Sequence, residues 1–417
     1  MNQDSIKLHH FINSEFSELI KKSTPISPLG ISTISGVYDM VVRANAAFHR
    51  ESNSIQKSQM ELLAKNAPLN IDSYIPTEII SNIHNSLKLY QQFLFSCNGR
   101  TCSVNMYYPI NSVRNSSKLM TDCNVEKSKK VQSFFQDAIH KIYLWIYVSS
   151  FFARKSCSSN MTLHFYYTDL KKSLPRKKTV PIDTIHANTA FTTSCKKDTE
   201  IHLFRKEEWF KVFIHETFHN IGFDFSDMNC DLVDAKLRVL FPHIQSKIKT
   251  YNLYETYTEM WAEMIHSLFL AFLLSKSKDV AIRKFCEMMK YDVVYSMFQC
   301  CKVLNHYNLS YSDLMKPSSS RVLYKELSSV FSYYVVRSIL FFSWNEFISW
   351  CNKNNSNVFQ FKRTQNVMSD FTRLISNLYK NPSFLEQMKV IESKSKDKHL
   401  DTFISNTLRM TVYQAEN

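Results

Sequence analysis

Four glycines in 417 residues set the first limit on this fold. Glycine enters left-handed turns without steric cost, so a chain this poor in it has few tight reversals at its disposal. Helices joined by Pro-, Asn- and Ser-containing connections are the expected outcome. Hydrophobic residues form 44% of the chain and aromatic residues 14%, which is ample for packed cores in two or three domains. The expected class is α+β, predominantly helical. The apolar runs at 142–153 and 265–274 fall short of the roughly 18 residues that a membrane span needs, and they read as buried helices.

Three regions follow from the patterning. Residues 1–125 mix candidate helices, notably 81–95, with Pro- and Asn-rich joints, and carry no chemistry that the sequence names. Residues 126–275 hold a long helix at 131–153, a strand at 161–168, a basic loop, and then 187–193 and 200–205 as a hairpin. Residues 276–417 read as helical, with 393–399 a polar linker before a terminal helix.

The chemistry is concentrated in WFKVFIHETFHN, residues 209–220. Residues four apart share a helix face, so His215 and His219 can direct two imidazoles at one metal. Glu216 lies beside them, placed to take a proton from water. The preceding segment from Glu200 to Arg205 alternates like a half-buried strand. Glu207 and Glu208 suit a helix first turn, and Gly222 stands where a helix ends in a left-handed residue. The competing reading is a buried helix whose histidines hydrogen-bond within a core, but that leaves two imidazoles and a carboxylate seeking partners in an apolar setting.

A catalytic zinc site keeps three protein ligands. The extended HExxHxxGxxH pattern is excluded, because Gly222 is in place but the ligand position is Phe225; Asp224 is one residue short. No glutamate follows Glu216 until Glu255, after which Glu255, Glu259 and Glu263 recur at four-residue spacing on one helix face. Like charges so stacked repel on an isolated helix, and a metal would compensate them. His243 and Asp231 are more remote candidates, while Asp224 and Asp227 are read as bracing the helix end.

Strand, HExxH helix, glycine stop is the order of the zincins. The segment Glu259-Met-Trp-Ala-Glu263 resembles the E-x-x-A-E element of the gluzincin metallopeptidases, including the anthrax lethal factor group. The stretch 188–266, with FRKEEWFKVFIHETFHN as its strongest run, is similar to uncharacterised metallopeptidases of large DNA viruses. The resemblance implies a zincin-like catalytic core with a small mixed sheet, flanked by helical N- and C-terminal regions. It also implies one Zn2+ ion held by His215, His219 and Glu259, with Glu216 as general base and a protein or peptide substrate. Glu255 is the reserve ligand, and Glu263 is read as the carboxylate that accepts an imidazole N–H. Tyr251, Tyr254 and His266 are candidates to stabilise the oxyanion. A substrate strand would add to an edge at 187–193 or 200–205. The rival is a non-catalytic viral structural or scaffold protein that retains a zincin fold, against which an intact Glu216 argues.

The net charge of +14 would favour acidic partners, yet the basic residues are scattered apart from Lys171, Lys172, Arg176, Lys177 and Lys178, and no nucleic-acid motif accompanies them. That group reads as a solvated loop. The N-terminal MNQDSIKLHH lacks an apolar signal region, so an intracellular, reducing compartment is expected, with the ten cysteines mostly buried thiols. Oligomeric state leaves no mark on the sequence.

Overall fold

The computed structural model describes residues 1–63, 74–109, 122–244, 247–317 and 324–414. The fold is α+β and 57% helical, with one small, mixed, open sheet. In chain order the elements are α1 (Gln3–Lys21), α2 (Pro28–Glu51), β1 (Gln56–Lys57), β2 (Glu61–Leu62), α3 (Thr77–Ser86), β3 (Leu87–Cys97), β4 (Arg100–Pro109), α4 (Asp122–Ser150), β5 (Asn160–Tyr166), α5 (Thr184–Ala187), β6 (Ala190–Thr192), β7 (Asp198–Leu203) and α6 (Trp209–Asn220). There follow α7 (Asp231–Leu240), α8 (Leu253–Leu273), α9 (Lys278–His306), α10 (Arg337–Phe342), α11 (Trp344–Asn354), α12 (Gln365–Leu378), α13 (Pro382–Ser395) and α14 (Thr402–Asn406). Among the described residues no helix is long and apolar enough to cross a membrane.

The chain forms two compact units, each assembled from separate stretches. One comprises residues 37–171 and 189–222 and contains the whole sheet. Its strand order is β1-β3-β4-β5-β7-β6, with β2 also on β3. The β3–β4 and β6–β7 pairs are antiparallel, whereas β4–β5 and β5–β7 are parallel. The expected helix at 81–95 is overturned: α3 stops at Ser86, and β3 takes over at Leu87. The cause is the turn Asn98-Gly99, both residues at positive φ (47° and 80°), which closes a two-residue hairpin and lets the β3 side chains pair across to β4. The expected strand at 161–168 and hairpin ahead of α6 are both present. The segment 200–205, however, offers no sheet edge: β7 lies between β5 and β6, so only β6 is outermost on that side.

Alternation assigns the two faces of the sheet. Phe93 and Phe95 pack on Phe135 and Tyr143 of α4, while Phe165 meets Trp209 and Phe213 of α6. Trp145 of α4 stacks on Phe218 of α6 at 6.0 Å, so the two helices share one apolar layer. On the opposite face Tyr107, Tyr166 and Phe204 bury Ile79 and Ile83 of α3.

The other unit comprises residues 1–36, 172–188 and 223–416. It is helical and organised on α9, against which α1, α8, α10 and α13 pack. Its interior is unusually polar. Arg337 ion-pairs with Glu263, both fully buried, and the buried Lys302 ammonium donates to the Ile404 carbonyl at 2.8 Å and to that of Thr407. Lys172, expected in a solvated loop, is also buried, and Lys178 donates to Asn308 Oδ1 at 3.0 Å. The expected linker at 393–399 is shorter than the sequence suggested, because α13 runs through Ser395.

Candidate metal centre

Helix α6 is buried along nearly its whole length, and its apolar residues fix it against the sheet. Its N-terminal neighbour Glu208 adopts a left-handed conformation (φ 55°) and its C-terminal Gly222 does likewise (φ 71°), so both ends turn sharply. Glu207 and Glu208 lie just outside the helix rather than in its first turn. Asn220 anchors the far end. Its Nδ2 donates to Thr192 Oγ1 at 2.9 Å and to the Thr193 carbonyl at 3.2 Å, its Oδ1 accepts from Thr199 Oγ1 at 3.2 Å, and its carbonyl accepts from Ser158 Oγ at 2.8 Å. The helix is thereby tied to β6, β7 and the loop before β5.

This anchoring holds His215 and His219 on successive turns with their Nε2 atoms 3.0 Å apart and their rings crossed at 78°. At this distance one ring can donate to the other; the separation is also close to the spacing of about 3.3 Å that two bonds of about 2.0–2.1 Å to one tetrahedral metal impose. His215 is buried, His219 is half-buried, and Glu216, the residue between their turns, is buried as well. Two imidazole nitrogens so placed could hold a metal ion, and Glu216 follows His215 directly in the helix.

Helix α8 belongs to the other unit. Glu259 is buried there and Glu255 half-buried in the first turn. Glu263 is bound to Arg337. Of the candidate oxyanion groups, Tyr251 is fully buried against Phe331 at 5.4 Å, and its phenol is pushed up by burial. Burial, followed by the Glu255 charge, also raises the Tyr254 phenol. The His266 ring nitrogen Nε2 is engaged by the Tyr413 carbonyl at 3.1 Å. Asp224 accepts from Ser226 N and Oγ, at 3.2 and 3.0 Å, and Asp227 pairs with Arg363 at 2.9 Å; both brace the turn after α6. Asp231 accepts from Asn229, and His243 faces the Pro317 carbonyl.

The described residues also contain a group of metal-type ligands that the sequence reading passed over: His164, Glu200 and His202, in which each residue offers one atom within 4.8 Å of the others. The available signal was Glu200-x-His202, two residues that alternation must place on one face of a strand. A further departure concerns cysteine. Cys157 and Cys195 are joined in a disulfide, so the thiol expectation fails for this pair. It holds for Cys97, Cys102, Cys300, Cys301 and Cys351, all buried, with burial pushing Cys102 and Cys300 up to about 12. Comparison with family models, with curated proteins and with solved structures finds no match to this chain.

Proposed function

We propose that this chain is a zinc-dependent metallopeptidase of the gluzincin type. The observation that carries the reading is the approach of His215 Nε2 and His219 Nε2 to 3.0 Å on a buried helix whose sequence also carries Glu216. A structural zinc site needs ligands alone; a carboxylate between the ligands is what hydrolysis requires in addition. His215 and His219 would hold the ion, and a glutamate would complete the set as third ligand. The E-x-x-A-E pattern assigns that role to Glu259 and keeps Glu255 in reserve, while the ion pair with Arg337 engages Glu263. When bound, zinc supplies Lewis acidity, which lowers the pKa of water toward neutrality and polarises a carbonyl.

Glu216 then performs the proton transfers. Its carboxylate takes a proton from the water that attacks the peptide carbonyl carbon, and it returns that proton to the amide nitrogen as the C–N bond breaks. The terminal position of β6 among the described strands supports strand addition of an extended substrate there.

The test is Glu216→Gln beside His215→Ala/His219→Ala, with zinc measured by atomic emission and hydrolysis measured on a mixture of quenched fluorescent peptides. Glu216→Gln should retain zinc and lose roughly 10²- to 10⁴-fold in hydrolysis. Undiminished hydrolysis in Glu216→Gln would refute the assignment. Zinc binding by the wild type with no hydrolysis of any peptide would favour the non-catalytic rival.

A further inference from the structure

We infer that His164, Glu200 and His202 form a second divalent transition-metal site, on the face of the sheet opposite to α6. Parallel register sets His164 of β5 beside His202 of β7, and their rings stack at 4.6 Å with an interplanar angle of 17°. Glu200 precedes His202 by two residues on the same face of β7, and its Oε2 lies 2.9 Å from His202 Nε2. The neighbouring residues Leu163 and Ile201 alternate to the other side, the side on which Phe165 meets α6. The site is therefore separate from His215 and His219 within the same unit, and it does not rest on the peptidase reading.

Three features mark it as a binding site rather than a packing accident. Both imidazoles are buried, where plain packing would be better served by apolar residues. His202 Nδ1 is buried without a hydrogen-bond partner, an arrangement that is costly unless something else uses that ring. Glu200 keeps its side chain 45% exposed, which leaves a route for an ion from solvent while the two imidazoles wait below.

The two imidazoles are stacked, with Phe191 against the outer side of His202 at 4.7 Å and 7°. Nearly parallel rings share no common in-plane point, so capture of an ion turns one imidazole about its Cβ–Cγ bond. That turn draws ligand atoms now within 4.8 Å toward the spacing of about 3.3 Å that bonds of 2.0–2.1 Å impose. The mixed imidazole and carboxylate set selects zinc, cobalt or nickel over calcium or magnesium.

Titration of the full chain with Co2+, following visible d–d absorption and competition against a chromophoric chelator, tests the proposal. The wild type should take up two equivalents, and His215→Ala/His219→Ala one. His164→Phe/His202→Phe keeps the stacked rings and should lose the equivalent that His215→Ala/His219→Ala retains. Glu200→Gln, at a half-exposed position, should weaken that equivalent by roughly 10- to 100-fold while leaving the other unchanged. Uptake of no cobalt by folded His215→Ala/His219→Ala, or full affinity in Glu200→Gln and His164→Phe/His202→Phe, overturns the site. A single wild-type equivalent that survives His215→Ala/His219→Ala but not His164→Phe/His202→Phe upholds it, and counts against the peptidase reading instead.

Discussion

Asn220→Ala should loosen α6 far more than its distance from the imidazole nitrogens would suggest. The side chain makes three hydrogen bonds, to Thr192, Thr193 and Thr199, at 2.9 to 3.2 Å, and Asn220 itself is fully buried. At about 1 kcal/mol net for each bond, their loss amounts to about 3 kcal/mol, and the stranded, buried Thr199 hydroxyl keeps the figure from falling lower. Since α6 opens against these ties, the protection of its amides should fall by about 100-fold, the equivalent of that energy at 1.4 kcal/mol per decade. Hydrogen–deuterium exchange with peptide resolution over α6 reads the effect directly. Asn160→Ala is the control, because its bond to Asp198 at 2.6 Å lies between exposed groups and should change protection by less than about 3-fold. A fall of under about 5-fold in Asn220→Ala, with Asn160→Ala alike, would show that the helix is held by its apolar face alone.

Three further expectations concern metal, pH and redox state. Glu259→Ala should weaken zinc binding by at least about 10-fold, whereas Glu263→Gln, which strips a buried arginine of its partner, should retain zinc and lose about 3–5 kcal/mol of stability; full zinc affinity in Glu259→Ala transfers the ligand role to Glu255. Glu326 is pushed up to about 7 by burial, against hydrogen bonds from Tyr324 and the Phe331 amide. Its raised value means that the folded state holds a proton the unfolded chain has lost, so the contribution of Glu326 to stability is full below about pH 4.5 and is lost as pH rises to about 7, by about 3 kcal/mol in all. Denaturation of wild type and Glu326→Gln across pH 5 to 8 should show that slope in the first and a flatter one in the second. Reduction of Cys157–Cys195, which closes a loop with a separation of 38 residues, should cost about 4 kcal/mol on the loop-closure estimate, seen as a lower melting temperature in dithiothreitol that Cys157→Ser/Cys195→Ser no longer shows.

What the sequence disclosed, and what it withheld, divides along the range of the forces involved. The α6 pattern, its glycine stop and the flanking strand were legible because each depends on residues within a few positions of one another. The β3–β4 hairpin was legible too, in Asn98-Gly99, but the apolar run that precedes it satisfies helical and strand periodicity alike, and the turn signal was the only arbiter. Register was beyond reach: nothing local says that His164 meets His202 across two parallel strands, since that alignment is set by the whole stack of strands. The Cys157–Cys195 pairing lies equally outside sequence reasoning, because ten cysteines admit many connectivities. Burial of Lys172 and of the Arg337–Glu263 pair also defeats composition rules, and Arg337 is tolerated through a carboxylate 74 residues away in the chain.

The segment 407–414 bears on how the protein is made. Arg409 is fully buried and donates to Ser5 Oγ at 3.2 Å, Val412 N donates to Asp292, and Gln414 N donates to Ser5 Oγ across a separation of 409 residues. On the ribosome, at about 5–20 residues per second, Ser5 waits roughly 20–80 seconds for that partner. During this interval Leu8, Ile12 and Phe16 of α1, all buried in the finished fold, are exposed on a nascent chain. The sheet-bearing unit needs nothing past residue 222 among its described stretches and can close while translation continues. The helical unit depends on the latest of these residues to emerge, so slowing of synthesis or loss of chaperone capacity should trap it as an aggregating half-made chain well before the sheet is affected.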